Sequence, residues 1–245
     1  MGRRLGQHFL NNPAILRRIA LAACPGIEPL VVEIGPGKGA LTRHLLERAE
    51  RVIAIELDRD LARRLEGTDP RLSVHCADVL ETDLSQWGPA VVAGNLPYYI
   101  TSPIIEKVLH LGVALRRAVL LVQKEVAERL TASPGSRDYG YLTVATQITA
   151  SVETMFTIAR GAFSPPPNVD SAAVRLTPKP APVENLPAFL EFAGRCFRHK
   201  RKNLRNNLGP YYYINSKTVG DAATLRAEQL SIPQLVDLYR RLNAA

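Results

Sequence analysis

Asn95, Leu96, Pro97 and Tyr98 stand in a row directly after a short apolar run, Ala90–Ala93. These residue types suit one chemistry. The exocyclic amine of adenine is a poor nucleophile because its lone pair is delocalised into the ring. Two acceptors, the Asn95 side-chain oxygen and the Leu96 carbonyl, would hold the amine hydrogens and favour a tetrahedral nitrogen with its lone pair exposed. Beyond Pro97, Tyr98 offers an aromatic face on which an extruded base can stack. Attack of such a nitrogen on an activated methyl needs in-line positioning and no prior general base, since the proton can leave afterwards. The competing reading is a proline turn beside a core tyrosine.

A second group lies upstream. Glu33-Ile34-Gly35-Pro36-Gly37-Lys38-Gly39 follows an apolar run and precedes a helical pattern. Glycines there let the backbone turn tightly and approach a ligand without Cβ obstruction. The Walker A spacing GxxxxGK[ST] is absent, and the spacing is GxGxG instead of the dinucleotide GxGxxG. What remains is a nucleoside cofactor without a pyrophosphate, such as S-adenosylmethionine, or a plain tight turn. Glu56 falls 21 residues after Gly35, where a carboxylate can take both hydroxyls of a ribose. Asp58 and Asp60 read as helix-start acids. Asp78 could accept from an adenine amine or cap its own loop.

These residues need a frame that brings them together, and the hydrophobic pattern supplies one. Strands are expected at Leu30–Ile34, Val52–Glu56, Leu72–Cys76, Ala90–Ala93 and Ala118–Val122. Helices are expected from Pro13, through Leu41–Leu46, Leu61–Leu65, Ile104–Leu111, Val126–Leu130 and Leu142–Ala150. The alternation predicts a parallel sheet with helices on both faces, and the candidate residues sit at strand ends, where such sheets bind ligands. Ser151–Ile158 and Ala172–Leu176 are expected as an antiparallel edge pair. The proline-rich stretch Pro178–Pro187 marks a boundary. The expected organisation is a catalytic domain over residues 1–180 and a small helical basic domain over residues 181–245.

The pieces together resemble the ribosomal RNA adenine N6,N6-dimethyltransferases, in particular the small-subunit (16S) type. The resemblance spans nearly the whole chain. It is carried by Gly6-Gln7-His8-Phe9-Leu10, Val32–Gly37, Ile55–Asp58, Gly94–Tyr98, Gln123–Val126 and Phe163-Ser164-Pro165-Pro166-Pro167-Asn168-Val169-Asp170-Ser171. It implies an α/β, Rossmann-like S-adenosylmethionine-dependent methyltransferase sheet with a small C-terminal all-helical domain. It also implies dimethylation of two adjacent adenosines in a hairpin loop near the 3′ end of small-subunit rRNA, on a 30S assembly intermediate. Cofactor contacts would fall on His8, Leu10, Gly35, Gly37, Glu56, Asp78 and Asn95, and Phe163 would pack the target base opposite Tyr98. His8 departs from the family pattern, which has Asn there. The basic leader before Gly6 is short, carrying Arg3 and Arg4, which implies a reduced amino-terminal RNA contact.

Charge agrees with a polyanionic partner. The net charge is +8, and residues 185–245 hold ten Lys and Arg against four acids, most of that excess. Arg198, Lys200, Arg201, Lys202 and Arg205, interleaved with Phe197 and Leu204, are expected on one helix whose basic side meets RNA phosphates. They would position RNA more than read its sequence. Tyr211, Tyr212 and Tyr213 are expected to pack at a helix end. The three cysteines are widely spaced and suggest a reducing compartment, with no metal site. No apolar run reaches membrane length, so a cytoplasmic protein is expected; a monomer is expected as well. Alternatives are the large-subunit resistance methyltransferases, where Asn-Ile-Pro-Tyr and a less proline-rich loop would be expected, and an RNA-binding assembly factor whose methylation is dispensable. A DNA adenine methyltransferase would need a recognition domain larger than this tail.

Overall fold

A computed structural model describes residues 8–214 and 219–243. The Gly6-Gln7 part of the first motif, the leader arginines and Lys217 lie outside the described residues.

The chain runs through β1 (Phe9–Leu10), α1 (Pro13–Ala23), β2 (Glu28–Ile34), α2 (Ala40–Leu46), β3 (Ala49–Glu56), α3 (Arg59–Leu65), β4 (Leu72–Cys76) and β5 (Ala90–Asn95). It continues through α4 (Thr101–Leu109), β6 (Leu115–Gln123), α5 (Lys124–Leu130), α6 (Tyr141–Gln147), β7 (Ala150–Ile158), β8 (Phe163–Ser164) and β9 (Ser171–Pro178). The final helices are α7 (Leu186–Phe197), α8 (Leu204–Leu208) and α9 (Ile232–Asn243). Local chemistry sets several of these boundaries. Asn12 accepts from the N–H groups of Ala14 and Ile15, and Pro13 takes the first helical position, where its missing N–H costs nothing. Asp58 caps α3 in the same way.

Seven strands form one sheet in the order β4-β3-β2-β5-β6-β9-β7. The pairs β4–β3, β3–β2, β2–β5 and β5–β6 are parallel, and β9 runs antiparallel to β6. Strands covered on both faces read as continuous apolar runs, and these do. Val31, Val52, Val91, Val119 and Ala173 pack with Leu16 and Ile19 of α1 and Leu41 and Leu45 of α2. Their neighbours Val32, Ile53, Val92, Ala118 and Val174 are equally buried. Strand order reverses between β3 and β5 on either side of β2, the switch point of a doubly wound sheet. At the opposite end of β2, buried Glu28 is neutralised by Arg116 and Arg117, each at 3.1 Å.

The expected strands and helices are present, but α4 ends at Leu109 and α6 at Gln147, short of the expected Leu111 and Ala150, and Ala150 instead begins β7; β9 and β7 do form the sheet edge. The domain division differs. The chain separates into one unit of residues up to 127 with 151–178 and a second of 128–150 with 179 onward, instead of a single cut near residue 180. The reason is apolar. Tyr139, Val144 and Ile148 belong to the same buried cluster as Phe189, Phe192, Leu235 and Leu238, so the segment around α6 joins the helical unit before the chain returns to the sheet. The basic segment differs too. Arg198–Asn203 is not helical; α7 stops at Phe197 and α8 starts at Leu204. The Asn207 amide, 3% exposed, donates to the carbonyls of Cys196 at 2.9 Å and His199 at 3.2 Å, and more weakly to Lys202 at 3.4 Å. A side chain that binds those carbonyls favours a turn over a continued helix. No helix among the described residues is long and apolar enough to cross a membrane.

Candidate active site

The carboxyl ends of β2, β3, β4 and β5 open on one cavity. His8, Leu10, Gly35, Gly37, Glu56, Asp78, Asn95, Leu96, Pro97 and Tyr98 all line it.

The glycine turn after β2 has left-handed backbone at Gly35, Gly37 and Gly39, with φ of 67°, 57° and 76°. At Gly37 space matters as well: a Cβ would come within 2.9 Å of the Phe9 ring. Glu56 ends β3 and is 3% exposed. One of its oxygens accepts the Gly37 N–H and the other the Asp58 N–H, both at 2.9 Å. These bonds orient the carboxylate, and each oxygen keeps a further lone pair. Of the two roles its position allows, Asp78 shows the loop cap. Its Oδ1 caps the loop through the Leu80 N–H at 2.8 Å, and the turn does not use Oδ2.

Asn95 is fixed more tightly than its position in sequence suggests. Its Nδ2 donates to the main-chain carbonyl of His8 at 2.9 Å. A carbonyl only accepts, so the donor end of the amide is committed and Oδ1 is the end left for a ligand. Leu96 continues the β5 pairing through its N–H to the Leu121 carbonyl at 3.1 Å. The His8 ring donates from Nδ1 to the Pro165 carbonyl at 2.8 Å and stacks on Tyr98, with centroids 5.6 Å apart. The Tyr98 hydroxyl meets Ser171 Oγ at 2.9 Å, and burial pushes its pKa up, so it stays a neutral phenol.

Phe163 departs from expectation. It is 4% exposed and sits in the sheet core with Leu10, its partner across the β1–β8 pair. It does not line the cavity; the ring lying on Tyr98 belongs to His8.

Glu33 was not among the expected residues. It lines the cavity, is 1% exposed, and its Oε2 has no hydrogen-bond partner among the described residues. Burial above all, with the neighbouring Glu56 charge adding to it and the Thr42 hydroxyl opposing, pushes its pKa to about 8. The available signal was one carboxylate inside the apolar run Leu30–Ile34. A cavity holding Glu33 and Glu56 favours a cation. With the glycine turn and the strand-end acids, these residues fit S-adenosylmethionine, which carries a ribose, an adenine amine, an ammonium and a sulfonium.

The basic residues expected to bind RNA are all exposed on the helical unit: Arg198, Lys200, Arg201, Lys202 and Arg205. Lys200 Nζ donates to the Arg137 carbonyl at 3.0 Å.

A doubly wound sheet with a GxGxG turn, strand-end acids and Asn-Leu-Pro-Tyr at its switch point defines a Rossmann-like methyltransferase. More particularly, the chain belongs to the ribosomal RNA adenine dimethylase family, whose model matches residues 2–243. Ribosomal RNA small subunit methyltransferase A of Acidobacterium capsulatum is 45% identical over 255 residues, covering 98% of this chain and 90% of that protein. The protein of the same name from Bordetella bronchiseptica is 41% identical, covering 99% and 94%. Among solved structures, a dimethyladenosine transferase from Plasmodium falciparum superposes with a TM-score of 0.82 at 28% identity, over 97% of this chain and 98% of that one. The 23S rRNA methyltransferase ErmE superposes at 0.74 with 30% identity, over 96% and 99%.

Proposed function

We propose that this protein transfers methyl groups from S-adenosyl-L-methionine to the N6 amine of two adjacent adenosines in a 3′-terminal hairpin loop of small-subunit (16S) rRNA. The product is N6,N6-dimethyladenosine, formed during ribosome biogenesis on a 30S assembly intermediate, by a cytoplasmic monomer. The observation that carries this reading is the Asn95 amide, anchored through its nitrogen so that its oxygen is the end offered beside Tyr98.

When bound, the cofactor supplies an electrophilic methyl group on a sulfonium. Glu56 would hold the ribose hydroxyls and Asp78 the cofactor's adenine amine, with Gly35, Gly37, Leu10 and the His8 segment closing around the remainder. Asn95 Oδ1 and the Leu96 carbonyl accept the two hydrogens of the target amine, which localises the lone pair on nitrogen. Tyr98 carries the base on its ring, and Pro97 sets the turn between acceptors and aromatic face. The displaced proton leaves to solvent after transfer. Arg198, Lys200, Arg201, Lys202 and Arg205 neutralise RNA phosphates. Phe163 acts from the core, as Leu10's partner in the β1–β8 pair, by supporting the strand that leads from His8.

A second reading, methylation of large-subunit rRNA, has the ErmE likeness in its favour. The greater identity to small-subunit proteins, 45% against 30%, and the Asn-Leu-Pro-Tyr motif weigh for the first. The deciding experiment offers radiolabelled S-adenosylmethionine with undermethylated small subunits, large subunits and naked DNA, followed by nucleoside analysis. Label in dimethyladenosine from small-subunit RNA alone is expected; label in large-subunit RNA or DNA overturns the assignment.

A further inference from the structure

A glycine stands in the last turns of α7 without a packing reason. Gly194 has ordinary helical φ, and a Cβ there would make only normal contact, 3.8 Å from the Tyr141 ring. Glycine within a helix costs about 1 kcal/mol relative to alanine, and its missing side chain leaves the surface in front of it open. In front of it lies a shallow, open cleft lined by Tyr141, Glu191, Gly194, Arg195, Arg198 and Tyr211.

The walls are ordered. The Arg195 guanidinium pairs with Glu191, neutralising the single acid of the cleft, and donates to the Tyr212 hydroxyl at 3.2 Å. It also lies 4.5 Å from the centroid of the Tyr211 ring. Arg198 donates to the Tyr211 hydroxyl. A guanidinium has five N–H donors, and one such bond leaves others for a phosphate. Tyr212 packs inward against Phe192, as expected of a helix end, but Tyr211 is 38% exposed and has a second ring face. An aromatic ring beside an arginine on a basic surface is the combination that holds single-stranded nucleic acid: base on ring, phosphate on cation.

We propose that this cleft is a second RNA subsite, taking one unpaired nucleotide with its base against the tyrosine rings and its phosphate against Arg198. The inference rests on the RNA-substrate reading above and adds a preference for unpaired over paired RNA that the phosphate contacts alone would not give.

The test uses the full chain and two fluorescently labelled RNAs: a hairpin with unpaired loop adenosines, and a duplex of equal length. Binding is followed by anisotropy across a salt series. Gly194→Leu improves helix propensity while filling the cleft, so its melting temperature should not fall. It and Tyr211→Ala should weaken hairpin binding by about tenfold, the scale of one stacked base, and leave duplex binding unchanged. Arg198→Gln should weaken both RNAs and lower the salt slope by about one. Unchanged hairpin affinity in a folded Gly194→Leu protein overturns the proposal, as does an equal loss on both RNAs. Methyl transfer by the wild type, measured separately, reports on the function reading. A hairpin preference lost in Gly194→Leu supports the subsite whichever rRNA is methylated.

Discussion

The side-chain amide of Asn95 donates to the main-chain carbonyl of His8 at 2.9 Å, joining the end of β5 to the residue that precedes β1. One bond thereby orients the Asn95 oxygen and holds the segment whose imidazole lies on Tyr98. The acceptor and the aromatic face are positioned by the same residue.

Asn95→Asp tests that relationship. A carboxylate has no N–H for the His8 carbonyl and would set two acceptors against each other. Methyl transfer should fall by on the order of a hundredfold or more, and proteolysis ahead of α1 should quicken as the β1 segment loosens. Asn95→Ala should lose transfer to a similar extent without the repulsion. Transfer assays with limited proteolysis distinguish the two; full activity in either variant contradicts the role assigned to Asn95.

Gly94 next to it is a backbone prediction. A Cβ there would lie 2.4 Å from the Ile34 carbonyl oxygen, and Ile34 and Gly94 are register partners in paired parallel strands. Gly94→Ala should cost about 1–3 kcal/mol and shift Asn95 out of register. Gly67, with φ of 70° and open space around its Cα, provides the contrast: Gly67→Ala should cost about 1–2 kcal/mol from backbone conformation alone and leave transfer unchanged. Denaturant melts of the pair, read with activity, check both.

The part of the cavity built from Gly35, Glu56, Asp78 and Asn95 was legible in sequence because these residues sit at strand ends, and strand ends are marked by where apolar runs stop; His8 and Leu10 came only from the family resemblance. Glu33, Phe163 and the basic turn were less so, each for a physical reason. Glu33 lies inside an apolar run, and no pattern rule says toward which side its carboxyl opens. Phe163 is equally plausible as a stacking ring or a core residue until β8 is seen to pair with β1, a contact more than 150 residues apart in sequence. The cations after Phe197 keep helical spacing, but the break there is imposed from Asn207, downstream and buried. The segment around α6 reads as a continuation of the sheet domain because its apolar face does not say which core it joins.

Asn207→Asp follows from that last contact. The amide's two hydrogens face the carbonyls of Cys196, His199 and Lys202; a carboxylate would present only acceptors to them in a buried place. A loss of about 3 kcal/mol or more is expected. Asn207→Ala should cost less, about 1–3 kcal/mol, and should weaken RNA binding by disordering the turn that carries Lys200 and Arg201. Thermal unfolding with RNA titration decides. An unchanged melting temperature for Asn207→Asp would contradict the capping role.

Glu33 makes stability depend on pH. Its carboxyl has a pKa of about 8 in the folded protein against an ordinary 4.5, because ionisation in the cavity lacks solvation. Between those values the native state holds a proton that the unfolded chain has released, so stability falls as pH rises, and the full penalty is reached above about 8. Glu33→Gln keeps the shape and removes the titration. The cofactor-free variant should match the wild type near pH 4.5, gain on it through pH 6 and 7, and stay ahead by a constant margin beyond pH 8. A cationic cofactor favours the ionised carboxylate, so saturating S-adenosylmethionine should narrow the margin. Melting temperatures of both proteins across that range, with and without cofactor, are the measurement. A margin independent of pH would mean that Glu33 is already ionised in the empty cavity and that its burial is compensated by solvent.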